Sequence, residues 1–273
     1  MHKLAKVSVI IPSLDGFRDG NVDKLKSDLG EQTFSDFEIK IVKGVKPNGK
    51  ARNVGSKDAP GDILVFIDDD IRLGHKKVLE NLITPLITDS DIVMTGASVR
   101  LAEDATYSQK AYEKVRSFTS AVSDVLDYEG KISHACLAIK KSIFEEVEGE
   151  KENLITGTDI DLKIRIKNKG YKTAVVPNTW VYHLMPNSLR KLSKEAFNCG
   201  FGLAYAVKVV PHVFGLPKIK FIDYQIKTKT GAFFYRIMTT LLRIPFYILT
   251  LRPIHFLYYF FYLLGHIYGW VKF

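Results

Sequence analysis

The most informative stretch of the chain is residues 63–70, which read Ile-Leu-Val-Phe-Ile-Asp-Asp-Asp. Five consecutive apolar residues are typical of a strand buried on both faces of a parallel sheet, and such sheets bind ligands where their strands end. Asp68 and Asp70 are separated by one residue, so their oxygens can converge on one hard cation while Asp69 points elsewhere. The pattern predicts a magnesium or manganese site that also takes oxygens from a substrate diphosphate. The alternative is a solvated acidic turn.

Strand-like and helix-like segments alternate around this stretch. Strand patterns cover residues 7–12, 37–42, 91–99 and 171–183, and helix patterns cover residues 23–29, 50–57, 76–87 and 163–169. Alternation of this kind predicts an α/β fold with a mostly parallel, doubly wound sheet flanked by helices. The three aspartates then lie at the carboxyl edge of the sheet, where ligands bind.

The net charge of the chain is concentrated near its C-terminus. The formal charge is +9 over 273 residues, and residues 191–273 carry eleven Lys and Arg against two acidic residues, Glu195 and Asp223. Such asymmetry indicates a polyanionic partner, either nucleic acid or an anionic membrane surface. The first 190 residues are balanced in charge, and the 46% hydrophobic content supports a substantial core.

Cysteine usage and the N-terminal sequence indicate the compartment. Cys136 and Cys199 form no motif, which fits a reducing environment and excludes a disulfide framework. The chain enters the first strand pattern without the long apolar region and small-residue cleavage site of a signal peptide. We therefore expect the catalytic part in the cytoplasm.

A second group of acidic residues lies far downstream, where residues 158–162 read Thr-Asp-Ile-Asp-Leu. Two interpretations are open. Thr158 and Asp161 match a variant of the capping box, which would only secure the start of a helix. Asp159 is an additional acid whose side chain could face the ligand cleft and act as a general base toward an acceptor hydroxyl. His183 is either a packed or surface residue or, as a neutral imidazole, a manganese ligand.

Several of these segments together resemble the nucleotide-sugar half of family 2 glycosyltransferases. The matching segments, in the order of that family, are residues 7–13, 51–55, 61–70 and 159–162, followed by Gly170 and His183. The resemblance implies a GT-A type fold, a divalent metal (Mn²⁺ or Mg²⁺), a UDP- or GDP-sugar donor and inversion at the anomeric carbon. The chain has no Gln-x-x-Arg-Trp element of processive synthases, so transfer of a single sugar is favoured over polymerisation.

The resemblance also implies roles for individual residues. Asp68 and Asp70 match the Asp-x-Asp element that meets the metal and diphosphate, Asp159 matches the catalytic base, and His183 matches a histidine that completes the metal site in some members. The residues expected to contact the donor are Pro12, Ser13, Asp15, Lys50, Arg52, Asn53, Asp68 and Asp69. For Lys50 a plain surface lysine is the alternative. Two departures from the family pattern are Lys43 after the second strand, where an acid is common, and Thr158 in place of a glutamate.

The C-terminal segment is apolar and aromatic. Arg236, Arg243 and Pro245 interrupt residues 232–251, so this stretch is a poor candidate for a membrane span. Residues 254–271 carry no Lys, Arg, Asp or Glu and reach the lower length limit for a spanning helix, but their many Tyr and Trp rings favour the membrane interface. We expect peripheral or monotopic attachment to the cytoplasmic membrane face, with one transmembrane or re-entrant hairpin as the variant. A buried hairpin or oligomer interface is the alternative, and nucleic-acid binding is disfavoured.

We therefore predict three parts: a catalytic domain over residues 1–190, a basic linker and helix over 191–230, and membrane-associated helices over 231–273. Gly200 and Gly202 should interrupt the helix pattern of residues 191–210. The predicted function is metal-dependent transfer of one sugar to a hydroxyl or phosphate of a lipid-linked acceptor. A nucleotidyltransferase of similar sheet architecture and a sugar-nucleotide-binding protein without turnover are the alternatives.

Overall fold

The chain alternates strands and helices up to residue 183, and its described residues beyond that point are mostly helical. The computed structural model describes residues 6–211, 217–219 and 224–273. Its strands are β1 (Val7–Ser13), β2 (Phe37–Lys43), β3 (Ile63–Ile67), β4 (Ile71–Leu73), β5 (Ile92–Leu101), β6 (Cys136–Lys140), β7 (Lys172–His183), β8 (Lys218–Ile219) and β9 (Tyr224–Gln225). Its helices are α1 (Asn21–Gly30), α2 (Asn48–Lys57), α3 (Val78–Thr88), α4 (Tyr107–Arg116), α5 (Lys141–Glu146), α6 (Thr158–Asn168), α7 (Leu189–Val209), α8 (Lys229–Leu249) and α9 (Pro253–Lys272). Outside the described residues lie Asp223 and residues 1–5, the start of the N-terminal sequence discussed above.

These elements form two units. The first contains the chain up to Glu103, with Phe118–Asn153 and Thr158–Leu184. The second contains Asp104–Ser117, Leu154–Gly157 and Met185–Phe273. The first unit carries the seven-stranded sheet, and the second carries helices α4, α7, α8 and α9.

The sheet of the first unit is mixed rather than mostly parallel. Its strand order is β2-β1-β3-β6-β5-β7-β4. The strand β1 is parallel to β2 and β3, and β5 is parallel to β7. However, β6 is antiparallel to both of its neighbours, and β4 is antiparallel to β7. No strand was predicted from the sequence at β4 or β6, and a short buried apolar run would not have revealed their directions.

The core explains why β3 is apolar along its whole length. All five of its residues are buried, because helices cover both faces of the sheet. On one face, Val65 packs in a cluster with Leu25 of α1 and Leu82 of α3. On the other, Phe66 belongs to a cluster with residues of α2 and α6. This two-sided burial holds the strand end, and so the three aspartates, in a fixed position.

The second unit is built on close contact between helices α7 and α9. A Cβ atom added at Gly200 would lie 2.0 Å from the carbonyl oxygen of Tyr262, and one at Gly265 would lie 2.0 Å from that of Phe197. Glycine at these positions lets the two backbones approach, as in small-xxx-small helix pairs. The expected interruption of α7 at Gly200 and Gly202 is therefore wrong. Packing against α9 outweighs the low helix propensity of glycine.

Helices α8 and α9 present apolar side chains to solvent. Large exposed side chains of α8 include Phe234, Met238, Leu242 and Leu249, spaced as one face of a helix. Among the described residues, α8 is the one helix whose length and composition would permit a membrane crossing. This differs from the sequence-based expectation, which considered residues 254–271 the better candidate for a span.

Candidate active site

Three carboxylates lie at the end of β3, and each contacts a partner of opposite charge or a hydroxyl group. The backbone of this turn is held by Asn21, whose side-chain amide donates to the carbonyl oxygens of Asp69 (2.8 Å) and Ile71 (3.0 Å). Because β1 is parallel to β3, the loop that follows Ser13 reaches the same edge of the sheet. We call Asp68, Asp69 and Asp70 the aspartate edge.

Asp68 pairs with a buried arginine. The Arg52 Nη2 lies 2.5 Å from Asp68 Oδ1, and only 2% of Arg52 is exposed. Helix α2 supplies this arginine from its second turn, next to Ala51, which packs in the core. Burial of the pair strengthens its Coulomb attraction and fixes the position of Asp68.

Asp69 has the least exposed side chain of the aspartate edge, with 14% of it accessible. The Ser13 hydroxyl donates to Asp69 Oδ2 at 2.7 Å, and Arg18 Nε lies 3.6 Å from Asp69 Oδ1. Burial raises the pKa of Asp69 to about 6, although the Ser13 hydrogen bond and the Arg18 charge act in the opposite direction. Ser13 therefore contacts the aspartate edge directly, as a donor-site residue would.

Asp70 is shared between an arginine and a histidine. Arg18 Nη2 donates to Asp70 Oδ2 at 2.7 Å, and His183 Nε2 lies 3.6 Å from Asp70 Oδ1. The register of the sheet causes this approach, because β4 pairs Ile71 with His183 and the Leu184 N–H donates to the Asp70 carbonyl. Residues 113 positions apart in sequence thus meet at one sheet edge.

The predicted metal ligands are brought together in part. Asp70 and His183 are neighbours, whereas Asp68 faces Arg52. Within the described residues, no group of three or more His, Cys, Asp and Glu side chains is arranged to hold a metal ion. The donor chemistry nevertheless fits manganese or magnesium, because carboxylate oxygens and a neutral imidazole are suitable ligands. His183 also has a buried Nδ1 atom for which the described part of the chain supplies no hydrogen-bond partner.

The remaining residues expected to bind the donor have different surroundings. Pro12 is buried within β1, and Lys50 is exposed in the first turn of α2. Asp15 is exposed and caps a turn by accepting the N–H groups of Phe17 and Arg18, which lower its pKa. The structure gives neither Lys50 nor Asp15 a contact with the aspartate edge.

Asn53 contacts a loop rather than the aspartate edge. Its amide nitrogen donates to the carbonyl of Glu150 (3.0 Å), and its amide oxygen accepts the N–H of the same residue (2.8 Å). The contact of Asn53 with the donor stays a prediction. Its side chain instead fixes Glu150 to helix α2.

Asp159 is half-buried in the first turn of α6, and its Oδ1 accepts the N–H of Ile160 at 3.0 Å. The alternative of a capping box for this turn is wrong. Thr158 and Asp161, both within the described part of the chain, use their side chains elsewhere. The Thr158 hydroxyl lies 3.5 Å from His134 Nδ1, and Asp161 accepts from Arg165 Nε at 2.7 Å. Thr158 and Asp161 therefore do not explain this acidic turn as a cap, and the role of Asp159 as a base stays a prediction.

A buried pair supports the helix that carries Asp159. His134 Nε2 lies 2.5 Å from Glu150 Oε1, and both residues are almost fully buried. Burial acts to raise the pKa of Glu150, but His134, with smaller contributions from Arg52 and Arg165, outweighs it and holds the pKa below 4.5. Because His134 also contacts Thr158, this pair connects the Glu150 loop to the start of α6.

Sequence reasoning missed three residues of this region: Arg18, Asn21 and Glu150. Arg18 and Asn21 follow a loop whose path the hydrophobic pattern does not reveal. His134 precedes β6, and its position follows from the antiparallel pairing of Cys136 with Ile67, which was not predicted. Residues 145–152 include several charged side chains, and nothing in their sequence indicates that Glu150 is buried.

The chain matches a family of known proteins over most of its length. The family described as "Glycosyltransferase like family 2" matches residues 7–200. This range includes the aspartate edge, Asp159 and His183. Among curated proteins, y4gI of Sinorhizobium fredii is 23% identical over 172 residues, which are 57% of this chain. The chain spans 19% of the length of that relative.

Solved structures show the same fold at low sequence identity. The mannosyltransferase PcManGT from Pyrobaculum calidifontis, in complex with GDP-Man and Mn²⁺, has a TM-score of 0.61 and 12% identity, and the match covers 98% of this chain and 88% of that one. TarS of S. aureus has a TM-score of 0.50 and 14% identity, with 75% of this chain and 44% of that one covered. The expectation of a GT-A type fold, here with a mixed sheet and flanking helices, is confirmed.

Proposed function

Because the chain belongs to the glycosyltransferase like family 2, we propose that it transfers a single sugar from a nucleoside-diphosphate sugar to an acceptor hydroxyl or phosphate, with inversion at the anomeric carbon. The observation that carries this proposal is the convergence of Asp68, Asp69 and Asp70 with Arg18 and His183 at one sheet edge. Sheet edges of this kind are where α/β folds bind nucleotides.

The residues of this chain have distinct tasks in the proposed reaction. A Mn²⁺ or Mg²⁺ ion held by Asp68, Asp70 and His183 would supply positive charge to the diphosphate leaving group. Arg52 and Asn21 keep the aspartates in place. Arg18 lies at the exposed side of the aspartate edge, where its guanidinium suits a phosphate oxygen.

Asp159 acts as the base in this proposal. Its carboxylate takes the proton of the acceptor hydroxyl while the acceptor oxygen forms a bond to the anomeric carbon. The bond from that carbon to the diphosphate breaks, and the nucleoside diphosphate leaves with the electron pair. One base suffices for a single displacement, so the product has the opposite anomeric configuration to the donor.

The assay measures release of nucleoside diphosphate from a panel of UDP- and GDP-sugars with Mn²⁺ or Mg²⁺, with membranes as the acceptor source. We expect one donor to be cleaved, loss of cleavage in EDTA, and an inverted product by NMR of the anomeric proton. If the folded protein binds a donor but releases no diphosphate under any condition, the result would support the alternative function, a sugar-nucleotide-binding protein without turnover. Transfer of a nucleotidyl group instead of a sugar would support the nucleotidyltransferase.

We further propose that the helices over residues 231–273 attach the protein to the cytoplasmic membrane face, where a lipid-linked acceptor is available. The exposed apolar face of α8 supports this, as does the excess of basic residues beyond residue 190. The test is co-flotation of the full chain with vesicles. Recovery in the soluble fraction at all lipid compositions and salt concentrations would contradict the attachment.

A further inference from the structure

The second unit contains a cavity of about 390 Å³ that the sequence did not indicate and that the proposed sugar transfer does not use. This volume is in the range of small-molecule sites, about 300–1,000 Å³. Among its lining residues are Arg116 from α4, Arg236 and Arg243 from α8, and three tyrosines of α9. We call it the arginine cavity. All of the elements that line it belong to the same unit.

The spacing along α8 explains how two arginines reach one cavity. Arg236 and Arg243 are seven residues apart and therefore lie on the same face of the helix, two turns from each other. Thr239 and Thr240 lie between them on that face and also line the cavity. The two arginines of α8 thus share one site.

Each arginine is oriented by a tyrosine hydroxyl. Arg243 Nη1 donates to Tyr259 Oη at 2.9 Å. Arg236 lies near Tyr262 and Arg116 near Tyr258, where each guanidinium acts to lower the pKa of its tyrosine against the larger effect of burial. Burial raises the pKa values of these tyrosines, so their hydroxyls stay neutral and cannot balance the charge of the arginines.

The cavity has an excess of positive charge. Its described lining residues include three arginines and neither Asp nor Glu. Glu195 lies on α7 of the same unit, but its carboxylate accepts the Tyr112 hydroxyl at 2.7 Å and does not line the cavity. Among the described residues, neither the half-buried Arg236 nor Arg243 has a carboxylate partner in the lining, and a partly buried positive charge without one is unfavourable. In addition, the buried Nε of Arg236 has no hydrogen-bond partner among the described residues.

We propose that the arginine cavity binds a phosphate group. Guanidinium groups match the oxygens of a phosphate in pairs, and tyrosine and threonine hydroxyls can donate to the remaining oxygens. The phosphate can belong to a lipid headgroup or to a soluble phosphate compound, and the two sources have the same recognition chemistry. The assignment does not depend on sugar transfer, so it stands or fails separately from the proposed function.

The first arm of the test uses vesicles with the full-length chain. Phosphatidylcholine vesicles contain either phosphatidic acid, which has a terminal phosphate, or phosphatidylserine, at equal surface charge. We expect the wild-type chain to prefer phosphatidic acid by tenfold or more, and Arg243→Gln and Arg236→Gln to lose that preference. Lys227→Gln is the matched control, because it removes one exposed charge of the same unit outside the cavity. A charge near the membrane surface alone changes affinity by about fivefold without lipid preference.

The second arm measures binding of inorganic pyrophosphate to the same variants by calorimetry. Pyrophosphate binding that Arg243→Gln weakens, without any vesicle preference, assigns the site to soluble phosphates. A vesicle preference without pyrophosphate binding assigns it to lipid headgroups. If neither probe binds, or if Lys227→Gln loses as much as the arginine variants, the proposal is wrong. Arg243 is exposed, so its variant should fold, and Arg236→Lys tests the site with the charge kept.

Discussion

The chain holds arginines in two ways, and the difference underlies the ion that we propose for each region. At the aspartate edge, Arg18 and Arg52 contact carboxylates of Asp68, Asp69 and Asp70. In the arginine cavity, Arg236 and Arg243 contact neutral tyrosines instead. The aspartate edge has three carboxylates for two guanidinium groups, which favours a cation. The lining of the arginine cavity contains Arg236 and Arg243 and, among the described residues, no carboxylate, which favours an anion.

The two regions also differ in how their positions are fixed. The aspartate edge follows a strand buried on both faces, and Asn21 and Arg52 hold it from two other elements. The arginine cavity depends on packing of helices α7 and α9, which is possible because Gly200 and Gly265 let the backbones touch. Preorganised groups are required where charge develops during a reaction.

The largest effect is expected for Asp159, to which we assign proton transfer rather than ion binding. Asp159→Asn keeps the shape of the side chain but cannot accept the acceptor proton. We expect kcat to fall by about 10²–10⁴-fold while the affinity for the donor nucleotide sugar stays the same. Steady-state kinetics and donor titration by calorimetry check the two parts. Asp161→Asn should instead lower stability, because it leaves Arg165 without its carboxylate partner. Normal transfer by Asp159→Asn would remove Asp159 from the mechanism.

The next largest effect tests the excess negative charge of the aspartate edge. Asp70→Asn leaves two carboxylates for Arg18 and Arg52, so the attraction for a cation is reduced. We expect Mn²⁺-dependent donor binding to weaken by at least about tenfold. The measurement is a Mn²⁺ titration in the presence of the donor nucleotide. Asp36→Asn removes an exposed acid outside the site and serves as the control. An equal loss in both variants would mean that the aspartate edge attracts cations only through net charge.

Much of the aspartate edge could be predicted from sequence because its signals are local. The apolar run of residues 63–67 predicts a buried strand, and the acids that follow it must lie at the sheet edge. The contact of His183 with Asp70 agrees with the predicted grouping, although the pairing of β4 with β7 that produces it was not predicted. The donor contacts, the base and the metal ligands stay predictions.

The arginine cavity could not be predicted because its signals are non-local. Arg116, Arg236 and Tyr258 come from three helices, and nothing in their spacing relates α4 to α8 and α9. The glycines of α7 were interpreted as helix breakers by propensity alone, whereas the contact with α9 decides their effect. The strand β6 was likewise not predicted, and hydrophobic patterns do not encode the direction of such a strand.

The larger of two expected effects on stability concerns the frame of the arginine cavity. Gly200→Ala places a methyl group 2.0 Å from the Tyr262 carbonyl oxygen, so α7 and α9 must separate. We expect a loss of about 3 kcal/mol in unfolding free energy, measured by urea denaturation. Gly30→Ala is the control, since its added methyl meets no atom within 4 Å and should stabilise α1 by up to about 1 kcal/mol. Equal effects of the two substitutions would contradict the close helix contact.

The smallest expected effect concerns the pair that supports the helix of Asp159. Glu150→Gln removes the charge that His134 faces, and we expect a loss of about 1.5 kcal/mol in unfolding free energy at pH 7. Because His134 lowers the pKa of Glu150 below its unfolded value of 4.5, the ionised carboxylate contributes its full stability above pH 4.5. The contribution is lost as the pH falls through the folded pKa, so the difference between wild type and variant should shrink there.

Urea denaturation of both proteins across this acidic range measures the difference directly. Glu148→Gln is the matched control, since Glu148 is exposed and pairs only with Lys151 at 3.9 Å. We expect this control to change stability by less than about 0.5 kcal/mol at every pH. A difference for Glu150→Gln that stays constant with pH would assign its effect to packing. A difference that grows on acidification would contradict the charge pairing, since protonation of Glu150 makes wild type and variant alike.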